Sequence, residues 1–384
     1  MLAEKANCSG CGACTASCSL NCIEMEMDKE GFRYPQVDTD RCIGCDLCES
    51  VCPVLNPLLV ADHTDFLAAQ HHDIDLRLQS SSGGVFSALA ENILLQGGAV
   101  CAAAYTDDFA VVHFVSRDST DLPRFRGAKY TQSYAEPCFP EIRQLLRDEI
   151  PVLFVGTPCQ TAGLKSYLGK EFENLLLLDM VCHGVPSPMV WKKYLKEQTE
   201  KAGTAITGIN QRSKTSGWSR YGYSVERHHA NGTVDSVKQG QDWFMRGFTG
   251  DLFLRPSCSN CAFKGVERCS DLTLGDCWGI WDTHPEFDDN KGTSLLLLQT
   301  EKGRAAWNGI QEAFEWIKID KADAVRYNPS IVRSSAAHPA RQAFFERLDA
   351  GENLTDLVKA YLSPPEPPRV SLLRRIKDKL LPRK

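Results

Sequence analysis

No stretch of this chain comes near the roughly 18 consecutive apolar residues that a membrane-spanning helix requires. Its opening residues, MLAEKANCSGCG, contain no apolar core of a secretory leader. Excess positive charge is missing too, because the formal net charge is −6. No stripe of lysine and arginine precedes the extreme carboxyl end. A broad phosphate-tracking surface is therefore excluded, and no nucleic-acid partner is expected. Beyond one repeated cysteine motif, the chain has no internal repeat. These absences leave a globular protein whose thiols are expected in a reducing cytoplasm, where dense cysteine points to metal rather than disulfides.

What is present is cysteine. The chain has 384 residues, 43% of them hydrophobic, enough for one small module and one large domain. Of its 17 cysteines, nine fall within residues 8–52 and the other eight spread from Cys101 to Cys277. Residues 1–53 lack long apolar runs, so metal must hold them together. Two motifs stand there, Cys8-x2-Cys11-x2-Cys14-x3-Cys18 and Cys42-x2-Cys45-x2-Cys48-x3-Cys52-Pro53. Three cysteines at two-residue spacing let one loop wrap a cubane, each thiolate meeting its own iron. The fourth, expected to start a short helix, points to the other cluster. Cys8, Cys11, Cys14 and Cys52 are thus assigned to one 4Fe–4S cluster, and Cys42, Cys45, Cys48 and Cys18 to a second. The module resembles bacterial dicluster ferredoxins, with Ser19 where that family has proline. Cys22 lies outside both motifs and reads as a small buried hydrophobe.

Residues 55–65 read as a linker, after which strand and helix signals alternate. Strands are expected at 66–71, 98–105, 110–117, 151–156 and 175–181, with helices from Val85 to Leu95, behind Thr157 and from Met189 to Lys201. Beyond residue 204, strands are expected near 205–211, 221–228 and 293–299, and helices near 241–250, 301–315 and 338–349. This alternation predicts an α/β core. A proline-rich stop, SPPEPPRV, precedes a short basic tail whose contact with a membrane surface would be weak and peripheral.

Local signals in the large domain point to ligands. Ser80 to Gly84 precede a helix and offer hydroxyls and free N–H groups to a phosphate. Gly156-Thr157-Pro158-Cys159-Gln160 sits at a strand-to-helix turn, where ligands collect in α/β sheets. There a helix N-terminus would favour a Cys159 thiolate. Cys182-His183-Gly184 ends the next strand. Cys258-x2-Cys261 is half a metal site, which Cys159 and Cys182, or alternatively Cys269, would complete.

SSSGGVFSAL, GAKYTQS, GTPCQTAGL, CHGVPS and PSCSNCAFK…SDLTLGDCWG together resemble the beta subunit of coenzyme F420-reducing hydrogenase and dehydrogenase. That group also takes in 7-hydroxymethyl chlorophyll a reductase. The resemblance covers roughly residues 1–330. It implies an iron–sulfur flavoprotein oxidoreductase that joins one-electron clusters to the two-electron chemistry of FAD. A deazaflavin coenzyme or an organic molecule would be its substrate. It further implies that Ser81, Ser82, Gly83 and Gly84 hold the FAD phosphates and that Lys129, Tyr130, Thr131 and Ser133 line the flavin. Cys159, Cys182, Cys258 and Cys261 would bind a third 4Fe–4S cluster, with Cys269 and Cys277 left to the core. His183 is the candidate proton donor to a reduced product.

The expected fold class is α+β / α/β, a small dicluster ferredoxin-like module followed by a larger mixed α/β FAD-binding domain. The expected segments are 1–56 (ferredoxin-type), 66–146 and 147–330 (beta-subunit regions, the second with iron–sulfur), and 331–384 (helical extension and basic tail). A redox partner protein, a ferredoxin or a member of a larger complex, would deliver or accept electrons. Two other readings stand beside this one, a non-catalytic electron-relay subunit of a larger complex and a zinc-stabilised binding protein.

Overall fold

The computed structural model describes residues 2–362; the proline-rich stop and the basic tail lie outside the described residues. In the amino-terminal module, α1 (Ala13–Ser17) follows the first cysteine loop. β1 (Ile23–Met27) and β2 (Arg33–Val37) then form an antiparallel hairpin, and α2 (Leu47–Ser50) follows the second loop. The short helices start before the fourth cysteine of each motif, not at it, and Cys18 caps the carboxyl end of α1. The reason is the left-handed residue ahead of each helix, Gly12 in one loop and Asp46 in the other, which turns the chain directly into it.

The large domain runs β3 (Asp65–His71), α3 (Ile74–Gln79), α4 (Val85–Leu95), β4 (Ala99–Tyr105), β5 (Val111–Ser116), α5 (Leu122–Phe125) and α6 (Phe139–Arg147). It continues through β6 (Val152–Gly156), α7 (Pro158–Leu168), β7 (Leu175–Met180) and α8 (Pro188–Ala202). A small antiparallel sheet of β8 (Ile206–Ser213), β9 (Ser224–His229) and β10 (Val234–Lys238) follows, then α9 (Trp243–Thr249). The chain returns through β11 (Leu272–Asp276), α10 (Ile280–Thr283), β12 (Ser294–Leu298), α11 (Glu301–Asn308) and β13 (Phe314–Lys318). It closes with α12 (Lys321–Tyr327), α13 (Arg341–Asp349) and α14 (Leu354–Tyr361).

Eight strands form one mixed sheet in the order β13-β3-β12-β11-β7-β6-β4-β5. β11, β7, β6 and β4 are mutually parallel, and the outer strands join antiparallel. The sheet spans both expected beta-subunit segments, since β4 pairs with β6. Strand alternation sends Leu153, Leu176 and Leu178 to a core under α4, while Val152, Phe154, Leu175 and Leu177 face α6 and α7. That second core also holds Ala13 of the ferredoxin module. The hairpin residues Phe32 and Tyr34 enter a third core among α8, α9, α13 and α14. The module is therefore built into the large domain and is not tethered beside it. Ion pairs of Arg33 with Glu136 (3.0 Å) and of Arg341 with Glu30 (2.6 Å) reinforce the joint.

One expected helix is cut short. The reading over 301–315 meets a helix that stops at Asn308 before Gly309, and 314–318 forms an edge strand instead. The open edge of β3 supplies five residues of ladder pairing there, which a further helical turn would forgo. Strands β1, β2, β10 and β11 were not expected; each is short and lacks a strong apolar run. Among the described residues, no helix is long and apolar enough to cross a membrane.

Candidate redox site

The carboxyl ends of β4, β6, β7 and β11 all open into one cavity of about 300 Å³. Into it fall Ser80, Ser81, Ser82 and Gly84 ahead of α4, Lys129, Tyr130, Thr131 and Ser133 from the loop after α5, and the GTPCQ turn. Three sequence-distant segments thus meet, as expected where parallel strands end. Gly83 does not join them. Any Cβ there would lie 2.1 Å from the Ala69 carbonyl oxygen, so Gly83 serves close packing of the loop against β3 and β12.

The cavity wall is largely apolar but carries polar groups, some of them unsatisfied. Lys129 Nζ donates to the carbonyls of Phe125, Arg126 and Gly127 (3.2, 2.9 and 3.1 Å), and burial lowers its pKa to about 7. Gln160 Nε2 donates to the Ser133 hydroxyl at 3.0 Å, joining the two loops. Arg212, buried, donates to both carboxylate oxygens of Asp276 (2.9 and 2.8 Å) and to the Tyr130 hydroxyl (3.0 Å). Thr131 Oγ1, His113 Nδ1 and Arg212 Nε are buried atoms of cavity residues with no hydrogen-bond partner. Each is a buried polar atom left unpaired by the chain itself. Sequence reasoning missed Arg212, Asp276 and His113. Asp276 lies inside the SDLTLGDCWG motif, but its arginine comes from 64 positions away, which no local pattern reveals.

A second cavity, about 40 Å³, is lined by Cys159, Cys182, Cys258 and Cys261. Cys269 does not line it; its carbonyl accepts from Lys165 and its surroundings are Asp179, Lys165 and Arg268. Cys277 is buried in the core among Trp218, Ile280 and Leu295. The two cavities share a wall made of Ser9, Cys159, Cys182, His183, Gly184 and Val185. His183 Nε2 meets Asp251 Oδ1 at 2.6 Å and stands edge-on to Phe248 at 5.2 Å, so its ring is held from two sides.

A third cavity, about 20 Å³, is ringed by Cys8, Cys11, Cys14 and Cys52. Its wall is shared differently: α7 carries Cys159 near its start and, four residues on and on the same face, Gly163. Any Cβ on Gly163 would stand 2.8 Å from Cys11 Cβ and 3.0 Å from Cys11 Sγ. One helical turn therefore separates the backing of the first cysteine set from a member of the other. The second ferredoxin set is open to solvent, with Cys42 and Cys45 exposed and Cys18 and Cys48 half-buried. Cys22 is buried, yet its Sγ is 3.3 Å from Cys18 Sγ, so it borders that set instead of filling an apolar core.

Burial pushes Cys159, Cys182 and Cys258 up to about 12 and raises Cys11 further. For Cys159 this reverses the expected thiolate at a helix N-terminus, because desolvation outweighs the Thr157 hydroxyl. Buried thiols of this kind ionise when a metal takes the proton's place. Among the described residues no three metal-ligating side chains converge as they would on a single ion. Two of the cysteine sets, Cys159 with Cys182, Cys258 and Cys261, and Cys8 with Cys11, Cys14 and Cys52, line small cavities instead.

Two family models match the chain. Residues 7–56 match the model of the 4Fe–4S dicluster domain. Residues 151–323 match that of the carboxyl-terminal part of the coenzyme F420 hydrogenase/dehydrogenase beta subunit. Among solved structures, a chain of the xenon-derivatised F420-reducing [NiFe] hydrogenase complex from Methanosarcina barkeri aligns at 15% identity and a TM-score of 0.45, covering 69% of this chain and 89% of that one. No curated protein matches.

Proposed function

We propose that the chain, which matches the coenzyme F420 hydrogenase/dehydrogenase beta-subunit model over residues 151–323 and the 4Fe–4S dicluster model over residues 7–56, is an iron–sulfur flavoprotein oxidoreductase of that beta-subunit family. Cys42, Cys45, Cys48 and Cys18 hold the outer cluster, where a redox partner protein docks. Cys8, Cys11, Cys14 and Cys52 hold the inner one, and Cys159, Cys182, Cys258 and Cys261 a third. The large cavity takes FAD. Ser81, Ser82 and the first N–H groups of α4 meet its phosphates, and Lys129, Tyr130, Thr131 and Ser133 line the ring. Bound FAD supplies the exchange between single electrons and hydride. A deazaflavin or an organic substrate reaches it from the open side, in a reducing cytoplasm.

The observation that carries this reading is the shared wall: a four-cysteine cavity and a ligand-sized cavity meet across Cys159, Cys182 and His183. His183, held by Asp251 through Nε2, would move a proton at Nδ1 beside the ligand. Anaerobic purification tests the proposal. Iron and labile sulfide sufficient for three cubanes, with FAD released on denaturation, is the expected result. Zinc without sulfide, or clusters with no flavin after reconstitution with FAD, would overturn it.

A further inference from the structure

Buried arginines in this protein have anionic partners, with one exception. Arg77 faces Asp289, Arg212 faces Asp276, Arg227 faces Asp235 and Asp242, and Arg268 faces Asp179. Arg255, 1% exposed, has no carboxylate within ion-pair distance among the described residues. A buried, uncompensated cation is strongly unfavourable unless an anion is supplied.

Its contacts say where that anion belongs. Nε donates to the Cys8 carbonyl at 2.8 Å and Nη2 approaches Cys8 Sγ at 3.8 Å. Nη2 also donates to the Arg33 carbonyl (3.0 Å) and Nη1 to Gln132 Oε1 (3.0 Å), while the Tyr34 ring lies 4.1 Å from the guanidinium carbon. The guanidinium lies against the first cysteine loop so closely that a Cβ on Gly10 would come within 2.9 Å of it. The other end of the residue holds the third site: the Arg255 carbonyl accepts from Cys258 N at 3.0 Å, and its own N–H donates to Val185 in the shared wall. The Cys8 thiol and the rings of Tyr34 and Phe32 lie against this cation, and its charge also acts on the Cys159 and Cys258 thiols.

We infer that Arg255 is the counter-charge shared by the inner ferredoxin cluster and the third cluster, and that it raises the reduction potential of the inner one most. The inference rests on the cluster assignment above and adds the element that sets the order of potentials along the chain. A fixed positive charge beside a cysteine-ligated cluster stabilises the added electron, and the effect is large where water is excluded. Arg255 touches no substrate; it is a positioning and tuning residue. Tyr34 and Phe32, which flank it, keep solvent from screening the charge.

The test is an EPR-monitored redox titration of anaerobically purified holoprotein, each reduction adding one electron from dithionite through mediator dyes. Iron and labile sulfide are measured first, so that failure of the cluster assignment shows before any potential is read. The inner cluster's signal is the one lost in Cys11→Ala. In Arg255→Gln, the equilibrium constant for reducing that cluster should fall tenfold or more, ~59 mV for a one-electron couple. Arg255→Lys should keep most of the wild-type value. Gln132→Glu places a carboxylate on Nη1 without removing the guanidinium and should shift the potential in the same direction. This variant decides the matter if Arg255→Gln loses its clusters. Full iron content with an unmoved inner potential in the variant that decides would overturn the inference.

Discussion

The two cysteine motifs of the amino-terminal module share a spacing and a backbone, yet they live in different surroundings. Gly10 and Gly44 occupy the same motif position with φ of 71° and 67°, and Gly12 and Asp46 the next with 76° and 57°. Space for a side chain separates the halves. A Cβ at Gly10 would strike Arg255 and Gln132 at 2.9 Å, and one at Gly12 would strike Glu136 at 2.3 Å. At Gly44 nothing lies within 4 Å, and Asp46 carries its side chain into solvent. Ile43 (73% exposed), Leu47 and Leu20 form an apolar rim around the outer set. The difference teaches direction: one half is walled into the large domain and the other is open to solvent.

Breaking this comparison starts with the ligands. Cys11→Ala should abolish the inner cluster and destabilise the whole protein by on the order of 4 kcal/mol, since the loop also seats α7. Cys45→Ala should remove the outer cluster's EPR signal while leaving the thermal transition of the large domain nearly unmoved. Equal losses of stability in the two would erase the distinction. An anaerobic challenge with an iron chelator sharpens it, because the outer signal should decay several-fold faster than the inner one; simultaneous decay would mean that exposure does not govern access.

Glycine substitutions probe the same contrast on a smaller scale. Gly44→Ala should cost about 1–2 kcal/mol, the strain of a left-handed alanine. Gly10→Ala should cost about 2–4 kcal/mol, because overpacking against Arg255 and Gln132 adds to that strain. Denaturant titration of the two variants measures the gap, and none would show that the inner loop has room to yield. Smallest of all, Asp46→Gly should stay within about 0.5 kcal/mol of wild type. A loss above about 1 kcal/mol in that variant would reveal a contact for the outer loop that the fold does not display.

Much of this organisation is legible along the chain. The strands at 151–156 and 175–181 are written as mostly apolar runs, interrupted only by Asp179, because parallel strands buried on both faces need them. Ser80–Ser82, Lys129–Ser133 and the GTPCQ turn could each be singled out, since each is a short loop flanked by a clear element. Other features were hidden. The edge strand at 314–318 follows an amphipathic helix pattern and is decided by the vacant ladder of β3. Gly83 looks like part of a phosphate loop, and its packing against Ala69 and Ser294 is a long-range fact. Cys22 reads as a lone small residue until the hairpin brings it against Cys18.

The sequence by itself determined the local chemistry: which thiols can reach one metal group, because two- and three-residue spacings fix the reach of a single loop. It also determined where strands pass into helices, because hydrophobic period is a local property of the chain. Tertiary structure alone decided that Cys159 and Cys182 share a cavity with Cys258 and Cys261, that Arg212 meets Asp276, and that Arg255 lies on the first cysteine loop. Those meetings depend on how parallel strands stack and which faces they bury, and residues 64 to 247 positions apart carry no mutual signature before the sheet forms.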